Sequence, residues 1–466
     1  MSQNPEAGLS QKRSSGRSGG PARDLTSEDL SPAQRHALDL GDFVADSPSS
    51  FHAAAAAAER LEAAGFERLR EEDAWELTPG PKLVVRDGAL IAWIQPEGGA
   101  EAFDILGAHT DSPGFKLKPQ STTGSANVLQ AAVEVYGGPL LNSWLDRELR
   151  LAGRLVLRDG SEHLVATEPL FRIPQLAIHL DRGVNAEGVK LDRQQHTQPI
   201  WGLGAADDAD LLGLLAERAD VDPAEVGGYD LTFADGQRPR LFGVSEELLA
   251  SGRLDNLSSV HAGVVALAAA AQEASRQGAS GTAPAQEGLG GRVPMLAAFD
   301  HEEVGSSTRS GAGGPFLEDV LVRIIGGRGP EFSRATARSW HLSSDAGHAV
   351  HPNYPGHHDP AVRPLLGRGP LLKINADQRY ATDAQGAAKV ADLARKAGVS
   401  YQEFVSNNTI PCGSTIGPIT ATRLGIRTVD IGVPLLSMHS AREMAAVDDL
   451  WQLLHMVKDF FKGADS

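Results

Sequence analysis

Residues 102–113 of the chain read AFDILGAHTDSP, and this stretch decides the fold. Its first seven residues are apolar enough to be buried on both faces, as in a strand inside a helix-covered sheet. His109 and Asp111 follow that strand directly. In open α/β sheets, ligand sites form outside the carboxyl ends of the strands. The stretch therefore predicts a buried strand that ends at a functional site.

The same arrangement recurs at three other predicted strands, which are residues 293–299, 340–344 and 426–433. Polar residues of metal-ligand type follow these strands or precede a predicted long helix at 257–271: Glu302, Glu303, Asp345, His439 and Asp255. Because parallel strands place their carboxyl ends at one edge of a sheet, we expect these side chains to meet in one crevice.

The remaining pattern predicts an α/β fold with an insertion. Helical segments alternate with strands, including strands at 82–85, 89–94 and 321–325, and a helix runs from Ser31-Pro32 to about residue 69. Residues 128–167 instead alternate polar and apolar side chains around an Asp159-Gly160 turn, as β-hairpins do. We expect a helix-flanked, mostly parallel sheet formed by residues 24–112 plus 251–466, interrupted by a β-rich insertion at 113–250. Residues 1–23 are expected to be a disordered leader, and 272–292 a flexible surface loop.

Composition excludes several classes of partner. A net charge of −17 over 466 residues opposes binding to nucleic acid and to anionic membranes. No apolar run reaches the length of a membrane span, and the first residues lack the apolar segment of a secretory signal. The single cysteine, Cys412, allows no internal disulfide, which suits a cytoplasmic location. In a Gly-rich turn, Cys412 is better interpreted as a packed side chain than as a nucleophile.

Imidazole and carboxylate ligands in this mixture suit zinc or a similar first-row ion. Charge supports two ions, because Asp255, Glu303, Asp345 and a hydroxide nearly cancel two divalent cations. Two-metal hydrolases hold their ions about 3.5–4 Å apart, close enough for one carboxylate to bridge them. Asp111 is placed to accept the second N–H of the His109 imidazole. Of the adjacent glutamates, one can bind metal while the other takes a proton from water.

Each residue also has an ordinary structural explanation. A Glu-Glu pair after a strand is commonly solvated or caps a helix, and Asp255 could cap the helix that follows it. A single histidine is more often structural than a ligand. The metal prediction therefore depends on the five residues converging.

Taken together, the motifs resemble the aspartyl aminopeptidase family of dinuclear zinc metallo-aminopeptidases. The motifs are HTDSP at 109–113, RLDNL at 253–257, EEVGS at 302–306, SD at 344–345, HAVHPNY at 348–354, Lys373, QRYAT at 378–382, and SMHS at 437–440 with Arg442-Glu443. They occur in the family's order from about residue 30 to 460. Two positions depart from the pattern: His301 stands where many members carry Asn, and Gln175 where relatives often carry His.

The resemblance implies roles for individual residues. One zinc would be held by His109 and Asp345 and the other by Glu303 and His439, with Asp255 bridging both; Co²⁺ or Mn²⁺ could substitute. Glu302 would be the general base, and Asp111, which we expect to orient His109, is the other predicted catalytic residue. The substrate contacts would be His348, Lys373 and Tyr380, with His179 supplied by a neighbouring subunit. The implied fold is a zinc-peptidase α/β domain with an inserted β-rich dimerisation domain, assembled as a dodecameric shell.

The implied function is release of N-terminal Asp or Glu from short peptides, by a water that two zinc ions activate and Glu302 deprotonates. Because the net charge would repel acidic peptides, this preference requires a local cation, either Lys373 or His348. Two alternatives stay open. One is a two-metal aminopeptidase or dipeptidase of broader scope, and the more distant one is a non-catalytic shell that binds peptides.

Overall fold

The computed structural model describes residues 30–280 and 290–463. The predicted leader at 1–23 lies outside the described residues, as do positions 281–289 of the predicted loop at 272–292. The loop prediction is wrong for residues 272–280, because the long helix continues to Ser280.

Strands and helices occupy most of the described chain. The strands are β1 Glu67–Arg68, β2 Gly80–Arg86, β3 Ala89–Gln95, β4 Ala102–His109, β5 Gly114–Ser125, β6 Val128–Tyr136, β7 Glu148–Leu157, β8 Glu162–Ala166, β9 Phe171–Arg172, β10 Ile200–Leu203, β11 Val226–Asp235, β12 Arg240–Phe242, β13 Leu248–Ser251, β14 Arg292–Phe299, β15 Trp340–Ser344, β16 Gly347–His348, β17 Leu371–Ile374, β18 Gln402–Val405, β19 Arg427–Gly432, β20 Pro434–Leu436 and β21 Glu443–Ala446. The helices are α1 Pro32–Asp46, α2 Ser50–Ala63, α3 Val184–Glu187, α4 Leu211–Arg218, α5 Leu254–Ser280, α6 Phe316–Ile325, α7 Pro330–Arg338, α8 Ala384–Ala397, α9 Ile416–Leu424 and α10 Val447–Phe461.

A mixed nine-stranded sheet forms the centre of the molecule, in the order β1-β2-β3-β14-β4-β15-β19-β17-β18. Its middle strands β14, β4, β15 and β19 are mutually parallel. β3 is antiparallel to β14, and β17 is antiparallel to β19. The predicted α/β class is confirmed. Four parallel strands in a row bring four carboxyl ends to one edge of the sheet.

Helices cover both faces of this sheet, and the strand pleat divides the core accordingly. Along β4, Leu106 and Ala108 pack with α1, α2, α5 and α10, whereas Phe103 and Ile105 pack on the opposite side with α6. Because neighbouring residues of β4 face opposite layers and both layers are covered, the strand is buried along its whole length. The expectation that no apolar run reaches the length of a membrane span is wrong for α5, because Leu254–Arg276 is long and apolar enough to cross one. In the structure 78% of its most apolar window is buried in the protein, as in the core helix of a globular fold.

Two predicted elements differ from the structure. The strand predicted at 321–325 is wrong, because these residues form the second half of α6. The buried side chains of α6 recur at helical spacing: Phe316, Leu317, Val320, Leu321 and Ile324. A short apolar run does not distinguish a strand from a buried helix. The single helix predicted from Ser31 to about residue 69 is wrong, because this segment forms two helices, α1 and α2, followed by strand β1 at Glu67–Arg68. Ser31 does cap α1.

Residues 114–235 form a second sheet in the order β11-β5-β6-β10-β9-β7-β8. An additional pairing of β11 with β7 closes six of its strands into a ring. The predicted Asp159-Gly160 turn joins β7 to β8. Helix α4 contributes Leu211 and Leu215 to the core of this unit.

A third sheet lies beside the carboxyl edge of the central sheet. It has the order β12-β13-β21-β20-β16 and joins strands distant in sequence. β13 leads into the start of α5, and β20 leads into the loop at 437–442. The two segments that carry Asp255 and His439 are therefore connected through β21.

Candidate metal centre

The structure brings the five predicted ligands together at the carboxyl edge of the central sheet. His109 ends β4, Glu303 follows β14, and Asp345 follows β15 directly. Asp255 lies at the first turn of α5, where its backbone is not yet helical. His439 lies in the loop after β20.

The ligand atoms form two clusters that share Asp255. His109, Asp255 and Asp345 form one, and Asp255, Glu303 and His439 form the other, with the atoms in each lying within 4.8 Å of one another. Asp255 Oδ1 lies 3.3 Å from His109 Nε2, and Asp255 Oδ2 lies 3.4 Å from His439 Nε2. Each oxygen of this carboxylate thus faces a different imidazole. His109 also groups with Glu302 and Glu303.

The donor set fits divalent zinc. Among the described residues, Asp255 Oδ1 and Glu303 Oε1 are buried oxygens without a hydrogen-bond partner. A buried carboxylate oxygen is costly unless a hydrogen bond or a cation compensates it. Nitrogen from imidazole and oxygen from carboxylate are ordinary zinc ligands.

Both imidazoles are oriented by their other nitrogen. His109 Nδ1 lies 3.0 Å from the Asp111 carbonyl oxygen and 3.3 Å from Asp111 Oδ1. His439 Nδ1 lies 3.0 Å from the carbonyl oxygen of Gly138. A proton on Nδ1 donated to these oxygens leaves Nε2 as the lone-pair atom that faces the cluster.

Asp111 also holds the two glutamates in place. Its Oδ1 accepts from the Glu302 N–H at 3.0 Å, and its Oδ2 accepts from the Glu303 N–H at 3.1 Å. The Tyr136 hydroxyl donates to Oδ2 at 2.8 Å. One buried carboxylate therefore orders an imidazole and the backbone of both glutamates.

Crowded carboxylates shift the pKa values of the site. Burial, together with nearby Asp345, Asp111 and Asp255, raises the pKa of Glu302 to about 8, although His109 opposes the shift. Burial opposes a charged imidazole at His439, yet its contacts with Asp255 and Glu303 raise its pKa to about 10. The cluster thus favours positive charge at its centre, which divalent cations supply.

A cavity of about 340 Å³ opens beside the cluster and contains three predicted substrate contacts, His348, Lys373 and Tyr380. Lys373 is 1% exposed, donates to the Ala346 carbonyl at 2.7 Å and lies 3.7 Å from Asp345 Oδ2. Its Nζ is 5.3 Å from the centre of the Tyr380 ring. His348 Nδ1 lies 3.0 Å from His358 Nε2.

His179 does not join this group within one chain. It lies on an exposed segment of the insertion, and it is not among the described residues that line the cavity. Gln175, the other noted position in this segment, hydrogen-bonds through its backbone N–H to Asp146 at 3.2 Å.

Sequence reasoning missed several residues that support the site. Tyr136 and the Gly138 carbonyl come from the insertion and reach the cluster only through tertiary packing. Glu443 belongs to a motif for which the sequence predicts no role, and it contacts the backbone of two predicted ligands. Only the short distance from His439 in sequence could have drawn attention to Glu443.

A mixed α/β fold with joined imidazole–carboxylate clusters at the carboxyl ends of parallel strands is the arrangement of a metal-dependent hydrolase. The chain belongs to the aminopeptidase I zinc metalloprotease family (M18), whose profile matches residues 43–461. It is therefore a zinc-dependent aminopeptidase by family.

Individual relatives extend over nearly the whole chain. A protein of Streptomyces avermitilis named as a probable M18 family aminopeptidase 2 is 53% identical over 435 residues, covering 92% of this chain and 98% of its own. A chain in a cryo-EM structure of the Ape4 and Nbr1 complex has a TM-score of 0.85 at 35% identity, covering 92% of this chain and 86% of its own. A chain from the S. cerevisiae mApe1 dodecamer has a TM-score of 0.78 at 28% identity, covering 91% and 96%.

Proposed function

We propose that this chain releases N-terminal aspartate and glutamate from short peptides, using two zinc ions per subunit. The observation that carries the two-ion proposal is the geometry of Asp255, whose two oxygens face different imidazoles. A single-ion site would leave one of the two clusters without a cation among its buried carboxylates.

The proposed ligands divide between the two clusters. His109 and Asp345 would hold one zinc and Glu303 and His439 the other, with Asp255 shared between the two clusters. Zinc held there would supply a Lewis acid for the scissile carbonyl and would lower the pKa of water to about 7.

Glu302 is the proposed general base. It lines the cavity and groups with His109, yet it is absent from the two clusters that share Asp255. Its carboxylate takes the proton of the attacking water and then donates it to the departing amine. Asp111 fixes the Glu302 backbone, so the carboxylate stays at the edge of the cluster.

Lys373 is the proposed cation that binds an acidic side chain. Partial burial, with His358 and Lys373 nearby, lowers the pKa of His348 to about 4, so His348 carries no charge at neutral pH. The Lys373 ammonium has three protons, of which one is donated to the Ala346 carbonyl. We assign His348 and Tyr380 to contacts with the uncharged parts of the peptide.

The chain is proposed to act in the cytoplasm as a homo-oligomer, a dodecamer by similarity to the mApe1 structure. Exposed apolar side chains on the insertion support an interface there: Leu176, Ile178, Leu180 and Leu203. This segment carries His179, which we propose to enter the active site of a neighbouring subunit.

The test of the reaction is hydrolysis of aspartyl-, glutamyl- and leucyl-p-nitroanilide by purified protein, chelated and then reloaded with zinc. We expect zinc-dependent cleavage that favours the acidic substrates and is abolished by Glu302→Gln with bound zinc retained. A preference for the leucyl substrate would favour the broader aminopeptidase alternative. Peptide binding without cleavage under any metal would favour the non-catalytic shell.

The test of specificity is Lys373→Ala. Since hydrogen bonds to charged groups contribute about 1.5–3 kcal/mol, we expect kcat/KM for aspartyl substrates to fall roughly 10- to 100-fold relative to leucyl substrates. The matched control is Lys389→Ala. Lys389 belongs to α8 and lies over the ring of Trp340, outside the cavity. An equal loss on both substrates would contradict the role of Lys373.

A further inference from the structure

Glu443 is a buried carboxylate that holds the backbone of two proposed zinc ligands at once. Its Oε1 accepts from the His439 N–H at 2.7 Å, and its Oε2 accepts from the Asp255 N–H at 3.0 Å. The residue is 2% exposed. Within the described residues it makes no ion pair with lysine or arginine, and the neighbouring Arg442 pairs with Asp235 instead. These two N–H groups are therefore its principal compensation for burial.

The third sheet explains how Glu443 reaches both ligands. β21 begins at Glu443, which lies opposite Ser251 at the end of β13. β21 also pairs with β20, where Ala445 lies opposite Leu435. β13 leads to Asp255 and β20 leads to His439, so one residue at the start of the middle strand contacts both segments.

The segments need such support because their backbones are irregular. His439 has a φ of 65° and Ser437 a φ of 56°, in the left-handed region that few residues other than glycine adopt. Asp255 has a ψ of 104° although it lies within the first turn of α5. Left-handed conformations such as those of Ser437 and His439 persist where surrounding contacts hold them.

We propose that Glu443 is a positioning residue that sets the spacing between Asp255 and His439 and thereby the affinity of the Asp255–Glu303–His439 cluster for zinc. The proposal rests on the ligand assignment of the proposed function. Glu443 is not among the described residues that line the substrate cavity. Its two hydrogen bonds do not involve the ligand side chains. Its hydrogen bonds to the ligand segments go to two backbone N–H groups, one on each segment.

The test compares zinc affinity in the full chain and in Glu443→Gln by competition with a chromophoric chelator. The amide turns one acceptor into an N–H₂ donor that faces a backbone N–H, so one of the two hydrogen bonds is lost. Loss of a hydrogen bond that orients a metal ligand typically weakens metal binding about 10- to 100-fold. We expect a decrease of this size in the affinity for one of the two zinc ions. The visible absorption spectrum of the Co²⁺-loaded Glu443→Gln variant should also differ from that of the Co²⁺-loaded wild type.

Asp449→Asn is the matched control. Asp449 is also a fully buried carboxylate, and it accepts from the Gly367 and Gly369 N–H groups at 2.7 Å each. We expect this variant to lose thermal stability without changing zinc affinity or the Co²⁺ spectrum. Equal losses of zinc affinity in both variants would overturn the proposal, because the effect would then act through general stability.

Two further results separate the possible failures. A wild-type chain that binds two zinc ions, beside a Glu443→Gln variant of unchanged affinity, overturns the positioning role and leaves the proposed function intact. A wild-type chain that binds no zinc overturns the proposed function as well. If Glu443→Gln does not fold, Glu443→Asp replaces it: this side chain keeps the charge but is too short to reach both N–H groups. Unchanged affinity in Glu443→Asp also overturns the proposal.

Discussion

Gly432 is the residue whose lack of a side chain matters most directly to a proposed ligand. A Cβ at this position would lie 1.7 Å from the carbonyl oxygen of Asp345. The end of β19 therefore approaches the segment after β15 as closely as only glycine allows. This approach fixes the backbone of Asp345, whose carboxylate belongs to the cluster with His109 and Asp255.

We expect Gly432→Ala to displace Asp345 and to lower both zinc occupancy and activity. Overpacking of this kind costs about 1–3 kcal/mol, so the free energy of unfolding should fall by a similar amount. Zinc content by elemental analysis and urea unfolding measure the two effects. Gly356→Ala is the control, since no atom lies within 4 Å of a Cβ there. Full zinc occupancy in Gly432→Ala would contradict this account.

The sequence predicts the proposed ligands because each stands beside the end of a strand or the start of a helix, where topology alone brings residues together. It does not predict Glu443 or Tyr136, because their contacts depend on strand register and on how the insertion packs. His301 illustrates a local departure that the structure explains. Its φ is 62°, a region in which histidine, like asparagine, is more common than most residues.

At the scale of elements, α1 and α5 bury two histidines against each other. The rings of His36 and His261 are 5.0 Å apart, and His261 Nε2 lies 2.7 Å from Asp39 Oδ2. Burial, and then the neighbouring His261, lowers the pKa of His36 to about 3. Burial also lowers the pKa of His261, although Asp39 opposes the shift. The folded state therefore keeps His36 uncharged.

This burial makes stability depend on pH in one direction. A histidine whose pKa is lower in the folded state takes up protons preferentially when unfolded. We expect the free energy of unfolding to fall as pH decreases from about 6.5 towards 3. Urea unfolding of chelated protein at pH 7.5 and 5.5 measures the fall, and chelation separates it from zinc release. His36→Gln should reduce the fall, whereas His357→Gln, at an exposed position, should not. A parallel fall in wild type and His36→Gln would refute this.

The predicted strand at 321–325 and the correctly predicted β4 show what sequence patterns decide at this scale. In β4 the residues on both faces are buried, and a metal-ligand motif marks its carboxyl end. In α6 the last five residues look equally apolar, but their burial follows a helical face. The helical period emerges only when Phe316 and Leu317 are included.

For the whole molecule, the proposed metal site links units that are far apart in sequence. The central sheet supplies His109 and Asp345, the third sheet positions Asp255 and His439, and the insertion contributes Gly138. Divalent cations at this point should therefore stabilise the whole chain. At a free concentration of 1,000 times its Kd, zinc raises the free energy of unfolding by about 4 kcal/mol.

We expect chelation to lower the Tm by several degrees and zinc to restore it. Calorimetry of native, chelated and zinc-reloaded protein measures the change. Mg²⁺ is the control ion, because it binds imidazole poorly and should not restore the Tm. An unchanged Tm after verified zinc removal would show that the cluster folds without support from cations.

The last prediction concerns assembly. If His179 enters a neighbouring active site, a chain with His179→Ala keeps its own Glu302 and lacks only a residue that its neighbour can supply. A chain with Glu302→Gln is inactive itself but still offers His179. Oligomers formed by co-expressing both variants should therefore regain activity, at about one site in four for random pairing. Size-exclusion chromatography first establishes assembly, and each variant expressed alone gives the baseline. If the co-assembled oligomers show no gain in activity over that baseline, His179 does not act across the interface. The predicted gain in activity would instead require that two chains complete one active site.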